Sequence, residues 1–454
     1  MARQARAIEI TTTDLSSIGR LTDEEDRWIR ELAHISDTGR LTISLSGNKQ
    51  IDPEPLLRFD TVTNCWWTGR FVGEVQFKGG TLRISPRFGD VQLSRWLSRI
   101  WGVQLIDSKG AYSQSRLWIW HLIARLWESR LVAAAKHGLP TRRIDEAHIG
   151  QAIRGRLDIR GTVKQLSSGR HQLVSRSRER WIDQPIASVL LRAWKRLQIE
   201  LAGSQRPIRW LSPQADDLIS RLRLHSGVRS DTSTERKPIG IRYTPITESY
   251  RQVVDLSLSI LAGQGITSTS RGQRDVMGAL VDMAEVWELY IYHLLRTGLP
   301  DLRLRHTGRD QVNEGHLFHS SVDQTSVGGL KPDILAYRRY ENTLLGVIDA
   351  KYKLTTPSEQ RPNGLLREDL YQINAYVTAF SNNASCISGA LVYPSPSEAF
   401  DRLSDANPYF SATSSASVYF VGLGTEEESQ HQVRYTAEEQ RFLATIRRML
   451  VPAC

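Results

Sequence analysis

Hydrophobic and polar positions divide the chain into three differently patterned stretches. Alternation dominates the first hundred residues: "RLTISLS" (40–46) reads as a strand. "RFVGEVQFKGGTLRISPRFG" reads as a hairpin turning at Lys78-Gly79-Gly80. The adjacent Trp66-Trp67 pair reads as core. From about residue 111 the period lengthens. "RLWIWHLIARLWESRLVAAAKHGLP" predicts a long apolar helix, with Gly138 as its C-terminal cap, Pro140 beyond it, and Trp118, Trp120 and Trp127 as packing residues. "IASVLLRAWKRLQIEL" predicts a second helix. The polar stretch 225–249 reads as a long loop near a domain border. Beyond residue 250 helices and strands alternate, and the last helix opens at "TAEE", where Thr436 and Glu439 have capping-box spacing. The pattern gives a multidomain α+β protein: a β-rich N-terminal domain (1–110), a helical, basic middle region (111–270) and a C-terminal α/β domain (271–454).

Four elements of the last stretch carry chemistry. "VMGALVDMAEVWELYIYHLLR" predicts one helix, with an apolar stripe of Met277, Leu280, Val281, Ala284, Trp287, Ile291, Leu294 and Leu295. Glu288 falls in that stripe, whereas Glu285 shares a polar face with Asp282 and Tyr292, so Glu288 is the inward carboxylate. "PDILAYR", the turn "ENT" and "LLGVIDAKYKL" predict a hairpin with Asp333 at the start of its first strand. Alternation puts Val347, Asp349 and Lys351 on one face of the second strand, and Ile348, Ala350 and Tyr352 on the other. "LREDLYQINAYVTAFS" predicts a helix whose core face is Leu366, Leu370, Ile373, Val377 and Phe380, with Gln372 and Tyr376 side by side.

Inward carboxylates repel one another in a poorly solvated place, and a hard divalent cation between them removes the conflict. Magnesium suits the pattern because it takes oxygen ligands and needs only one or two carboxylates. A lysine beside it orients or deprotonates a water, or stabilises charge on a phosphate, which is equipment for phosphodiester hydrolysis. An isolated D-x-K is ordinarily an ion-paired strand end. The upstream P-D, the inward Glu288 and the Q-x-x-x-Y turn the balance towards a site.

Charge locates the rest. The net charge of +10 is concentrated in residues 101–250, which carry a net +13, against +1 before and −4 after. Arg154, Arg156, Arg160, Lys164, Arg176 and Arg178 crowd one segment there, which suits either DNA phosphates or a protein partner. Three cysteines, widely spaced and without a CxxC, speak against zinc and a disulfide framework. Neither a spanning segment nor a secretory signal is expected, which places the chain in the cytoplasm, off the membrane.

Pro332-Asp333 and Asp349-Ala350-Lys351 resemble the PD-(D/E)xK nuclease superfamily, and Gln372/Tyr376 resembles the Q-x-x-x-Y of its RecB-like branch. More narrowly, "GVIDAKYK", "DLYQINAY" and "LVYP", with softer matches at "GTLRISPRFG" and "IRGRLDIRGTV", resemble McrC, the family of nuclease subunits of McrBC modification-dependent restriction systems. The resemblance implies a restriction-endonuclease-like α/β fold with a mixed central sheet for 271–454. It implies Mg2+, with Mn2+ as an alternative ion, held by Asp333, Asp349, Glu288 and the Ala350 carbonyl, with Lys351 catalytic and Gln372 and Tyr376 supporting. It further implies double-stranded DNA as substrate, an AAA+ GTPase ring of the McrB type as partner, and stimulation of that GTPase. With no GxxxxGK[ST] segment, this chain is expected to bind no nucleotide itself. A non-cleaving adaptor of such a ring and a stand-alone RecB-like repair nuclease remain the alternative readings.

Overall fold

A computed structural model describes residues 8–35, 54–101, 115–202, 210–226, 241–261, 276–307, 315–323, 325–341, 343–353, 365–381, 387–395, 409–412, 414–425 and 435–451. The predicted strand at 40–46 and most of the loop 225–249 lie outside them. Backbone contacts divide the chain into two units, one of residues 1–115 with 266–454, the other of residues 116–265. This differs from the expected three-way division, and the reason is a strand pairing.

The predicted N-terminal hairpin forms from Phe71–Phe77 and Gly80–Ser85. Lys78 and Gly79 make its two-residue turn, both with positive φ (44° and 77°), which matches the twist of paired strands. Trp28 donates from Nε1 to the Phe77 carbonyl at 2.9 Å, and its ring packs on Gly80, where a Cβ would lie 2.6 Å from it. Glu9–Thr13 adds parallel to Gly80–Ser85 on one side. On the other side, Val276–Asp282 pairs antiparallel with Phe71–Phe77. The helix expected over 276–296 is therefore corrected. Its first seven residues are a strand, and the helix is Met283–Gly298, with the Asp282 carboxylate capping Ala284 N–H. Leu280 joins Trp28, Leu32, Trp66, Phe71, Phe77 and Leu82 in one core, so residues 1–110 complete their sheet with a strand from the C-terminal third.

The same unit holds a mixed six-stranded sheet. Its strands run in the order Leu302–His306, Ile334–Arg338, Leu344–Ala350, Ser388–Ser395, Ser417–Gly424, Tyr409–Phe410. The predicted hairpin is its antiparallel half, and the pairing of Leu344–Ala350 with Ser388–Ser395 is parallel. The helix Arg367–Phe380 lies against it, with Ile373 and Val377 buried among Val347, Leu391 and Tyr393. The final helix, Ala437–Leu450, opens on the expected capping box of Thr436 and Glu439.

In the other unit, the helix Ser115–Ala134 runs into a short turn that ends at Gly138 (φ 100°), as its pattern predicts. Trp127 is fully buried. The expected second helix forms as Gln184–Ala202, and Pro213–Ser226 and Arg251–Leu261 are helices too, so the described part of the region is mostly helical as expected, but it also holds a sheet that the pattern did not give. Thr141–Gly150, Leu173–Ile182 and Arg156–Leu157 form a three-stranded antiparallel sheet, with the helix Ile159–Ser167 beside it. "LVSRSRERWI" alternates with period two, and its arginines occupy the solvent face of a strand.

Candidate active site

Strand register brings the two aspartates together. Ile334 pairs with Ile348, so the next step outward sets Asp333 against Asp349 at the end of adjacent antiparallel strands, on one face. Asp333 is anchored by a charge-assisted bond: its Oδ2 accepts from the Ala350 N–H at 2.7 Å. Asp349 is 1% exposed, and its Oδ2 lies 2.5 Å from Lys351 Nζ without accepting an aligned hydrogen bond. Lys351 Nζ instead donates to Gln372 Oε1 at 2.7 Å. Gln372 passes the chain on, donating from Nε2 to the Tyr376 hydroxyl at 2.7 Å, and Tyr376 donates to the Lys331 carbonyl at 3.1 Å. That carbonyl lies two residues before Asp333, so the relay from Lys351 closes back on the other aspartate.

The electrostatics follow from the crowding. Burial, then the charges of Glu288 and Asp349, hold the Asp333 carboxyl well above the usual range. Burial also raises Asp349, against the lowering effect of Lys351. For Lys351 burial disfavours the ammonium, but the Asp349 and Asp333 carboxylates outweigh it and raise its pKa, so it is charged at neutral pH. One ammonium thus stands among crowded carboxyl groups whose ionised forms a bound cation would favour.

Glu288 sits on Met283–Gly298 near enough for its charge to act on both aspartates. Amphipathicity alone does not single out Glu288, because that helix is buried nearly all round. Tyr292, placed by the pattern on a polar face, is 6% exposed. Glu288 Oε1 lies 2.9 Å from Nε2 of His306, a buried residue that the sequence did not mark. "LRLRH" is a short alternating run with no motif, so only the pairing of Leu302–His306 with Ile334–Arg338 reveals that His306 reaches the site. Three further residues are linked beside the aspartates: Lys353 Nζ donates to Asp369 Oδ1 at 2.6 Å, Tyr393 donates to Asp369 Oδ2 at 3.2 Å, and the Asp369 charge acts on Asp349.

The donors suit a hard divalent cation. All are oxygens, and the buried Asp333 carboxyl is crowded by the charges of Glu288 and Asp349, a conflict that a divalent cation would offset. Among the described residues, the trio with a ligand atom from each within 4.8 Å of the others is a different one, Glu146, His148 and Glu179. There His148 Nε2 bonds Ser177 Oγ at 2.8 Å and lies 3.6 Å from a Glu179 carboxylate oxygen.

The six basic residues stand together elsewhere, in the unit 116–265, and all are exposed. Arg156 pairs across strands with Arg176, and Arg176 and Arg178 share a face. Asp158 engages Arg176 at 3.1 Å, and Asp145 engages Arg178 at 2.9 Å. Arg160 and Lys164 lie on the helix Ile159–Ser167. Among the described residues, no helix is long and apolar enough to cross a membrane.

Comparison with known proteins gives three results. No curated protein matches. One solved structure that resembles the chain is a half-complex refined from a tetradecameric assembly of Thermococcus gammatolerans McrB AAA+ hexamers with bound McrC. It is 14% identical, covers 96% of this chain and 99% of its own, and has a TM-score of 0.47. Another is the cryo-EM McrBC complex of the same organism, at 15% identity, 65% and 88% coverage and a TM-score of 0.34. A family model described as the McrBC 5-methylcytosine restriction system component matches residues 67–394, well over half the chain, and spans the motifs that carry the resemblance. The chain belongs to the McrBC 5-methylcytosine restriction system component family.

Proposed function

We propose that the chain is the metal-dependent endonuclease subunit of its restriction system, of the McrC type, with a PD-(D/E)xK site that hydrolyses phosphodiesters in double-stranded DNA. The observation that carries this reading is the opposition of Asp333 and Asp349 at one strand end, with Lys351 Nζ held between Asp349 and Gln372. Asp333, Asp349, Glu288 and the Ala350 carbonyl would hold Mg2+, or Mn2+. The ion would supply Lewis-acid stabilisation of a phosphate oxygen and lower the pKa of a bound water.

The protein's own groups do the rest. The Ala350 N–H and the Lys331 carbonyl fix the two ends of the segment that carries Asp333. Lys351, kept charged by its neighbours, donates to the attacking water or to a phosphate oxygen and offsets the charge that develops there. Gln372, fixed by Tyr376, aims that ammonium. Cutting is gated by a separate AAA+ GTPase of the McrB type, which this chain stimulates in return. The exposed arginines of the unit 116–265 serve as the contact to DNA or to that partner.

The test sets Asp349→Asn beside wild type, each with partner, NTP and Mg2+. Loss of cutting with NTPase stimulation intact supports the reading. Equal cutting rejects it, and cutting by the purified chain without partner or NTP favours a stand-alone nuclease.

A further inference from the structure

We infer that His306 and Thr307 position the two outer carboxylates, Glu288 and Asp333, for the cation, with His306 staying off the ion. The inference rests on the nuclease reading above. His306 is the last residue of Leu302–His306, pairs with Ile334, and is 2% exposed. Its Nε2 lies 2.9 Å from Glu288 Oε1, and the Glu288 charge acts on both aspartates. Tyr292, one helical turn beyond Glu288, sets its ring against the imidazole edge to face (5.2 Å, 81°) and limits its rotation. The next residue, Thr307, is buried and reaches the other acid's segment. Its Oγ1 donates to the Pro332 carbonyl at 2.7 Å, and its N–H donates to the Asp333 carbonyl at 3.2 Å. Two consecutive residues thus reach the Glu288 carboxylate and the backbone that carries Asp333 from the same strand end.

These contacts matter because Glu288 is the acid with somewhere else to go. Its side chain is 26% exposed, whereas that of Asp349 is 2% exposed. Repulsion from Asp333 and Asp349 favours swinging it towards water, and a glutamate has the rotamers to do so. A buried imidazole beside its carboxylate opposes that swing. Partners that orient a metal's ligands in this way commonly contribute about 10–100-fold to its affinity.

The experiment measures Mn2+ affinity of the purified full chain by electron paramagnetic resonance, without DNA or partner, and checks folding by circular dichroism. Asp349→Asn is the control for the site, and His306→Phe removes the polar contact while keeping a ring against Tyr292. His306→Gln keeps a donor in place of Nε2, and Thr307→Val removes the hydroxyl at similar volume. We expect His306→Phe to weaken Mn2+ about tenfold or more, Thr307→Val to weaken it several-fold, and His306→Gln to stay within about threefold of wild type. If Asp349→Asn abolishes binding while His306→Phe and Thr307→Val bind like wild type, the positioning role is wrong and the nuclease reading stands. If His306→Phe does not fold, Thr307→Val and His306→Gln decide by the same criteria. Nitrogen coupling to bound Mn2+ that His306→Gln removes makes His306 a ligand and also overturns the inference. Wild type and Asp349→Asn binding Mn2+ alike rejects the nuclease site itself.

Discussion

Replacing Tyr352 with Phe should destabilise the protein in a pH-dependent way. Tyr352 follows Lys351 directly and is buried, with Phe88 at 6.1 Å and Trp96 at 6.4 Å meeting its ring edge to face. Its hydroxyl donates to Asp14 Oδ2 at 2.8 Å across 338 positions of sequence, tying the end of the N-terminal strand to the Lys351 segment. Asp14 is fully buried and otherwise holds the Arg87 N–H at 2.6 Å, with the guanidinium 4.0 Å away. Phe keeps the ring volume, so no cavity opens and the loss is that of one hydrogen bond to a charged group, about 2 kcal/mol.

The sign of the pH effect follows from Asp14. Burial raises its carboxyl above 3.8 in the folded protein, opposed by the Arg87 N–H and the Tyr352 hydroxyl. A raised group contributes stability that is present below its unfolded value and lost as pH rises through its folded value. Tyr352 limits that loss by holding the ionised form. Wild type and Tyr352→Phe should therefore converge in acid and separate as pH rises past the raised value, reaching the full ~2 kcal/mol near pH 8. Urea unfolding of wild type, Tyr352→Phe, Asp14→Asn and the double variant at several pH values measures this, and the cycle isolates the pair. A deficit that does not change with pH, or a coupling below about 0.5 kcal/mol, would refute the reasoning.

Three other outcomes can be checked separately. Lys351→Met should cut DNA at least about a hundredfold more slowly in the partner-activated assay while still binding Mn2+, because it removes the charge offset and no metal donor. Gly346→Ala should lower stability by about 1–3 kcal/mol in a thermal melt, since its Cβ would lie 2.4 Å from the Ser388 carbonyl on the neighbouring strand. Stabilisation by Mg2+, read by melting temperature, should grow with pH: Asp333 and Asp349 are raised, so in acid the ion must displace protons from them.

Much of the site was legible because its spacing is local. Alternation put Asp349 and Lys351 on one face, the short turn brought Asp333 back, and the i,i+4 spacing paired Gln372 with Tyr376. The misses depend on distant partners. "VMGALVD" continues an apolar run into a helix, and only pairing with Phe71–Phe77, some two hundred residues earlier, makes it a strand. "LVSRSRERWI" carried a period of two that its flanking helices overshadowed. His306 and Asp14 gave no signal, because each acquires its role through a sheet edge or a hydroxyl remote in sequence.

DNA cleavage by the chain with its partner, NTP and Mg2+, run with wild type and Asp349→Asn side by side, tests the central claim most directly. The account predicts that wild type cuts and that Asp349→Asn does not, although it still stimulates NTP hydrolysis. Equal cutting by the two proteins would contradict it.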